Sequence, residues 1–476
     1  MKKEFNNLST FEYLGEFWIP NNKQKKFPGL LCYSPTSGII LETLLINNKI
    51  DIPSSKKIFG IVEKLGKVTL LEPVQKTGVT TTGNSNHVAH YQFFILYLIM
   101  GVHLNRSTNL NRATVTFSHL DEFCFPQSKS HLDKFKQPLV FSCDLKSESD
   151  MIAGAINLKK AASGSFIPKR PSDLFVLKTD DKKTKDALDK TINNILSQYD
   201  GDAFLKKKIH YYFEIIPNVS NADNLKFYDE VFQYLKSMLR LFMLDHCVVL
   251  QDITFYNDNK KLSFTALKSF YLSNNELNKI QTDNRLYNFQ VPVNLSVIAN
   301  NPESIVNQLF EVFRNRTDIV DTLLNHLSSK VDPKQHFVML MAAFERWGIL
   351  EKRERGEKLK NTEKYEWILN KYATPYIKRE LFEYIPKIPK RKKLSIDVFL
   401  SELRNTVVHP SKLDDKQSKY LTPIINSTAI NNINEYLFLT LYIALLLKIG
   451  ISKETMHDFY DRHDWFISKT ESYTLS

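Results

Sequence analysis

Arginine carries a permanent planar cation that matches phosphate oxygens, and histidine moves a proton near neutral pH. Placed together, the two can cleave RNA without a metal ion. Such a pair stands near the end of this 476-residue chain, where Arg404-Asn405-Thr406-Val407-Val408-His409 is followed at once by Pro410. The spacing alone is weak evidence. The chain has 14 Arg and 12 His, so composition gives about one Arg followed by His across four to six residues. Three occur: Arg112 with His119, Arg240 with His246, and Arg404 with His409.

Their settings separate them. Arg112 opens an alternating run, Ala113-Thr114-Val115-Thr116-Phe117, which predicts a strand that throws Arg112 and His119 to opposite faces. Arg240 precedes Leu241-Phe242-Met243-Leu244, the pattern of a packed core helix. Around Arg404, Leu394, Val398, Leu400, Leu403 and Val407 recur at helical spacing, Ser395 is an N-cap, and Asp397 falls in the first turn, where the dipole favours it. On an ideal helix five residues leave Arg404 and His409 about 140° apart, too far to converge. Pro410 resolves this, because a residue before proline is pushed out of the helical region and His409 can turn back toward Arg404.

Other constellations are weaker. Gly78 to Ser85 has P-loop glycine spacing but Asn84 where the lysine belongs, which predicts a polar loop. His87 and His90 lack a third ligand at a sensible interval, and His246-Cys247 adjoins apolar sequence. Lys387-Ile388-Pro389-Lys390-Arg391-Lys392-Lys393 is a basic linker directly before the Arg404 helix. It is either a solvated loop or an electrostatic guide for an RNA backbone.

The elements that must position these residues change along the chain. Up to about residue 170, short apolar or alternating runs predict strands at Gly29 to Cys32, Ile39 to Leu45, Ile58 to Val62, Val68 to Leu71, Tyr91 to Leu98, Thr114 to Phe117 and Leu139 to Cys143. A mixed stretch follows: a surface linker at Asp180 to Lys185, helices at Lys185 to Gln198 and Leu225 to Asp245, and strands near Ile209 to Ile216, Val248 to Tyr256 and Leu262 to Phe264. From residue 301 the pattern is helical. Asn301-Pro302 and Asp332-Pro333 each read as an N-cap followed by proline at the first helical position. Further helices are expected near Tyr365 to Tyr372, Ser395 to Val408 and Ile430 to Leu447. The fold class is therefore α+β and multidomain, with a regulatory region over 1–300, β-rich to about 170 and mixed beyond, and a helical bundle over 301–476.

Composition fits this plan: 43% hydrophobic and 24% charged residues support two or three cores. Four scattered cysteines with no CxxC pair point to neither a disulfide framework nor a structural zinc, and a reducing cytoplasm is the simplest home. Neither of the longest apolar runs, Phe93 to Val102 and Tyr436 to Leu447, reaches the roughly 20 residues of a membrane span. No signal peptide is expected behind Met1-Lys2-Lys3. A net charge of +12 suits a polyanionic partner without demanding one.

Phe399-Leu400-Ser401-Glu402-Leu403-Arg404-Asn405-Thr406-Val407-Val408-His409-Pro410 resembles the signature helix of HEPN domains. Phe11-Glu12-Tyr13-Leu14-Gly15-Glu16-Phe17-Trp18-Ile19-Pro20, with Phe27-Pro28-Gly29-Leu30-Leu31 and Gly38-Ile39-Ile40-Leu41-Glu42, is similar to the N-terminal domain of the ApeA family of HEPN-containing anti-phage proteins. The resemblance implies an abortive-infection endoribonuclease that needs no cofactor or metal, with Arg404 and His409 catalytic and Asn405 either positioning the His or the phosphate by hydrogen bonding or facing water. It also implies a supporting acidic residue on an earlier helix, for which Glu345 is the candidate, and a homodimer or higher homo-oligomer through the HEPN domain. RNA of host or phage, transfer RNA included by family analogy, is the implied substrate, and a phage-derived trigger a further partner; no membrane is involved. The alternative is a catalytically silent bundle serving dimerisation and the binding of RNA or another ligand.

Overall fold

The computed structural model describes residues 5–20, 22–46, 56–82, 87–104, 110–124, 139–145, 154–166, 182–196, 204–218, 224–244, 248–281, 292–328, 331–357, 364–386, 394–409 and 415–454. Its strands are β1 (Phe11–Trp18), β2 (Phe27–Ser34), β3 (Gly38–Ile46), β4 (Lys57–Val62), β5 (Gly66–Thr82), β6 (His87–Met100), β7 (Arg112–Phe117), β8 (Leu139–Leu145), β9 (Gly154–Phe166), β10 (Phe204–Pro217), β11 (Leu250–Asn257) and β12 (Leu262–Lys268). The helices are α1 (Leu120–Cys124), α2 (Lys182–Leu196), α3 (Asn224–Met243), α4 (Asn274–Gln281), α5 (Leu295–Ile298), α6 (Pro302–Asn315), α7 (Thr317–Ser328), α8 (Pro333–Glu354), α9 (Lys364–Tyr372), α10 (Pro375–Glu383), α11 (Ile396–Val408), α12 (Asp415–Ile425) and α13 (Ala429–Lys448). The expected α+β architecture is what forms: a barrel and sheet, then a helical region.

Alternation closes the barrel. Phe27, Leu31 and Tyr33 of β2, Ile39 and Leu41 of β3, and Phe93 and Ile95 of β6 point to one interior, while their neighbours face outward. The strands pair antiparallel in the order β3-β2-β1-β4-β5-β6, and β6 returns to pair with β3, which removes the free edges. Beyond Ile95, the edge of β6 that carried β3 passes to β12 at Tyr97 to Ile99. From there the sheet continues β12-β11-β7-β10-β9-β8.

The interior of this second sheet is continuous with that of the helices. One apolar cluster runs from Val115, Phe213 and Phe255 through Leu239 and Phe242 of α3 to Phe344 and Trp347 of α8 and Leu441 of α13. Side chains tie the layers as well: Tyr442 Oη donates to the Leu241 carbonyl at 2.9 Å, far apart in sequence. The barrel keeps its own separate cluster.

Several expectations change. Gly78 to Thr82 is not a polar loop but the far end of β5, paired with Tyr91 to His87 of β6; residues 83–86 lie outside the described ones. Lys182 to Lys185 form the first turn of α2 rather than a linker. Asn301 makes no side-chain cap on α6, although Pro302 does take the first position. Asp332, by contrast, caps α8, accepting from Lys334 N at 2.9 Å and Gln335 N at 3.2 Å. Strands β1 and β9 and helices α1, α4, α5, α7, α10 and α12 go beyond the expected elements. β9 is rich in Ala, Ser, Gly and Lys, poor strand formers, and is held by pairing with both β8 and β10.

Helix α13 is longer than its apolar run suggests. Its 20 residues pass a length-and-hydropathy test for a membrane span, but 78% of the tested window is buried inside the protein. It is the central helix of the bundle, apolar around most of its circumference because it is surrounded.

Candidate active site

Helix α11 carries the Arg404 pair, and its local chemistry follows the sequence. Ser395 is extended (φ −67°, ψ 157°) and its side chain accepts from Val398 N at 3.3 Å. Ile396, Phe399, Leu400, Leu403 and Thr406 form the buried stripe, and each large apolar member contributes about 1.5–3 kcal/mol on burial. Val398, expected on that stripe, is instead 42% exposed. Asp397 exceeds its dipole role: buried, it accepts from Tyr365 N at 2.7 Å and Glu366 N at 3.1 Å. It thereby caps α9 from a neighbouring helix and fixes how α11 lies in the bundle.

Arg404 stands on the flank of the buried stripe, next to Leu403 and one turn past Leu400. Its Nη1 is 3.3 Å from Glu345 Oε2 on α8, with side chains 34% and 29% exposed respectively. The structure therefore brings Glu345 to Arg404, as the earlier-helix candidate requires. With about a third of its side chain exposed, Arg404 is only partly covered by this contact.

The helix ends where Pro410 predicts. His409 leaves the helical region (φ −130°, ψ 64°) while its backbone N–H still bonds to Asn405 O at 2.8 Å. Its imidazole is exposed and has no hydrogen-bond partner among the described residues. Among the described residues His409 makes no hydrogen bond to Arg404 within one chain. Asn405 is exposed on the same outward stripe as Val408, which is 45% exposed. Pro410 and the basic linker residues Lys387, Lys390, Arg391, Lys392 and Lys393 lie outside the described residues.

The two rival pairs resolve as structure. Arg112 Nη2 and Nε donate to the two oxygens of Asp258 at 2.7 and 3.0 Å, Nη1 reaches Glu214 at 3.3 Å, and the guanidinium lies 3.9 Å from the Tyr256 ring centroid. Hydrogen bonding to Asp258 raises the Arg112 pKa still further. His119 lies past the end of β7 in the left-handed region, at φ 61°. Arg240 is half-buried on α3 and donates to the Leu324 carbonyl at 3.1 Å, while His246 and Cys247 are outside the described residues. His90 is exposed on β6, and among the described residues no three His, Cys, Asp or Glu side chains gather as a metal site.

A polar cluster that sequence spacing did not signal joins His326, His336 and Glu435 at the base of the bundle. His326 and His336 are ten residues apart on α7 and α8, but Glu435 is far from both in sequence, and only the packing of α13 against these helices brings it to them.

A closed barrel continuous with a second sheet, leading into a helical bundle that presents an arginine, a carboxylate and a histidine, defines the class: an α+β protein with a polar site on its helical part. The family model for ApeA N-terminal domain 1 matches residues 12–309. The chain belongs to that family. No curated protein and no solved structure matches it.

Proposed function

We propose that this ApeA-family protein is a phage-defence endoribonuclease whose helical region, 301–476, is a HEPN domain, and whose regulatory region, 1–300, directs or restrains it. The observation that carries the reading is the end of α11: Arg404 reaches Glu345 at 3.3 Å while His409, one residue past the helix, is exposed and out of the helical conformation. A phosphodiester lying across this face meets a permanent cation and a proton carrier. His409 removes the proton of a ribose 2′-hydroxyl or returns one to the leaving 5′-oxygen, and Arg404 stabilises charge growing on the phosphate. Glu345 holds the guanidinium in place without covering it. Asn405 presents an amide beside His409.

One Arg and one His offer few contacts to a phosphate, and a twofold axis would double them. The exposed stripe Val398, Asn405 and Val408 gives α11 a face for a second copy of the chain.

The test compares wild type with Arg404→Ala and His409→Ala, in cells challenged with phage and as purified protein on total RNA with and without EDTA. Loss of protection and of cleavage in both variants, with cleavage surviving EDTA, is the expected result. Full protection by both variants would leave the bundle as a dimerisation and binding module. Cleavage that stops with EDTA would sink the metal-free chemistry.

A further inference from the structure

Helix α8 shows solvent one narrow stripe beside the candidate active site. Ala342, Arg346, Ile349 and Arg353 follow one another at four, three and four residues, the spacing of a single helical face, and each is exposed. The opposite face, with Phe337, Leu340, Phe344 and Trp347, is buried in the bundle. Glu345, which meets Arg404 at 3.3 Å, adjoins Arg346 in the chain, so the stripe passes next to the Arg404 contact.

The two arginines of this stripe are loosely held. Arg346 Nε lies 3.9 Å from Asp318 Oδ2 on α7, with side chains 51% and 62% exposed. An ion pair that long and that solvated is worth little, so Asp318 is easily displaced from it. The Arg353 guanidinium has no ion pair or hydrogen bond among the described residues. Other cations of the bundle differ: Lys352 holds Glu357 at 2.9 Å, Lys371 holds Glu351 at 2.5 Å and Lys448 holds Glu354 at 2.6 Å. Packing supplies those three with a close carboxylate and leaves the α8 stripe without one.

The spacing suits a strand of phosphates. Arg346 and Arg353 are seven residues apart, about 10.5 Å along the axis. One stacked strand carries a phosphate about every 3.4 Å, so the two cations match phosphates about three nucleotides apart. Ile349, 42% exposed, stands between them and offers a base an apolar seat. Cations that follow the backbone, with apolar contact for the bases between them, hold single strands without reading sequence.

We propose that the Arg346 and Arg353 stripe of α8 is a binding track for single-stranded RNA, gripping phosphates beside the one that Arg404 receives. The inference rests on the proposed ribonuclease function and names how that site holds its substrate. Arg346 and Arg353 are positioning residues. They touch phosphates that do not react, so they bind ground state and transition state alike. Asp318 occupies Arg346 until RNA displaces it.

The test measures binding of a short fluorescent single-stranded RNA to the full chain carrying His409→Ala, so that the strand stays intact, from about 50 to about 200 mM salt. Arg346→Ala and Arg353→Ala should each lower the slope of log K against log salt by about 0.7. Arg346→Lys, still a cation, should keep the slope, and Asp318→Asn should tighten binding severalfold. With His409 intact, Arg346→Ala and Arg353→Ala should raise KM for RNA cleavage severalfold and leave kcat unchanged. Lys67→Ala, which removes an exposed cation from the barrel, should alter neither slope nor KM. Unchanged slopes in both alanine variants, with cleavage intact, would overturn the track and leave the nuclease reading standing. Lowered slopes together with cleavage that survives Arg404→Ala and His409→Ala would keep the track and overturn the nuclease reading instead.

Discussion

Arg112 in the sheet and Arg404 in the bundle begin from the same loose sequence pattern and end in opposite conditions. Arg112 is clamped by both oxygens of Asp258, touches Glu214 and stacks on Tyr256. Around it, Glu214 also takes Lys159 at 2.6 Å and Asn157 at 3.0 Å, so every charge on that patch is answered within the sheet. Arg404 has one longer contact to one carboxylate, and His409, past the end of the same helix, is exposed to solvent. A saturated arginine holds a fold together; one with a single long contact and a third of its side chain exposed has donors left for another partner.

The comparison is broken most directly by the largest effect. If the proposed function holds, Arg404→Ala and His409→Ala should each lower RNA cleavage about a hundredfold or more while shifting unfolding curves little, since His409 is exposed and Arg404 is a third exposed. Arg112→Ala should do the reverse. It strands Glu214, 6% exposed, with fewer donors and should destabilise the protein by about 2 kcal/mol, measured by urea denaturation, with unchanged cleavage per folded molecule.

Acid should sharpen the contrast between the polar clusters. The His336 pKa falls to about 4 in the folded protein, below the ordinary histidine value near 6.5. Between these two values the unfolded chain binds the extra proton, so stability is full above pH 6.5 and falls as pH drops toward 4, by at most about 1.4 kcal/mol per pH unit. His326 and Glu435 face His336 and modulate this, and His336→Gln should flatten the slope in denaturation series across that window. The smallest effect is expected at the helix cap: Ser395→Ala should cost about 1 kcal/mol, read by thermal unfolding, and fray the start of α11 rather than its C-terminal end.

Much of the fold was legible in local pattern. Alternation placed β2, β3, β4 and β7, and the Asp332-Pro333 and Ser395 signals placed the starts of α8 and α11, because caps and alternation act within a few residues. Thr374-Pro375 carries the same start signal, and the Thr374 side chain accepts from Ile377 N at 3.3 Å, so α10 was within reach. α12 was not: Pro423 sits inside it, a residue that locally argues for a break. β9 depends on its two neighbours rather than on its own composition.

The site divides along the same line. Sequence alone supplied the arginine, the histidine, the cap and the proline that ends the helix, since each is a property of one short segment. It could nominate Glu345 but not place it, because α8 and α11 meet only through packing. It gave no sign of the His326, His336 and Glu435 cluster, whose contacts depend on distances between three separate helices. Barrel closure through β6 and β3, the shared interior of second sheet and bundle, and the exposure of Arg404 were decided by tertiary structure. Local rules choose an element's conformation; only the competition among elements for one interior decides which charges are answered and which are left to act.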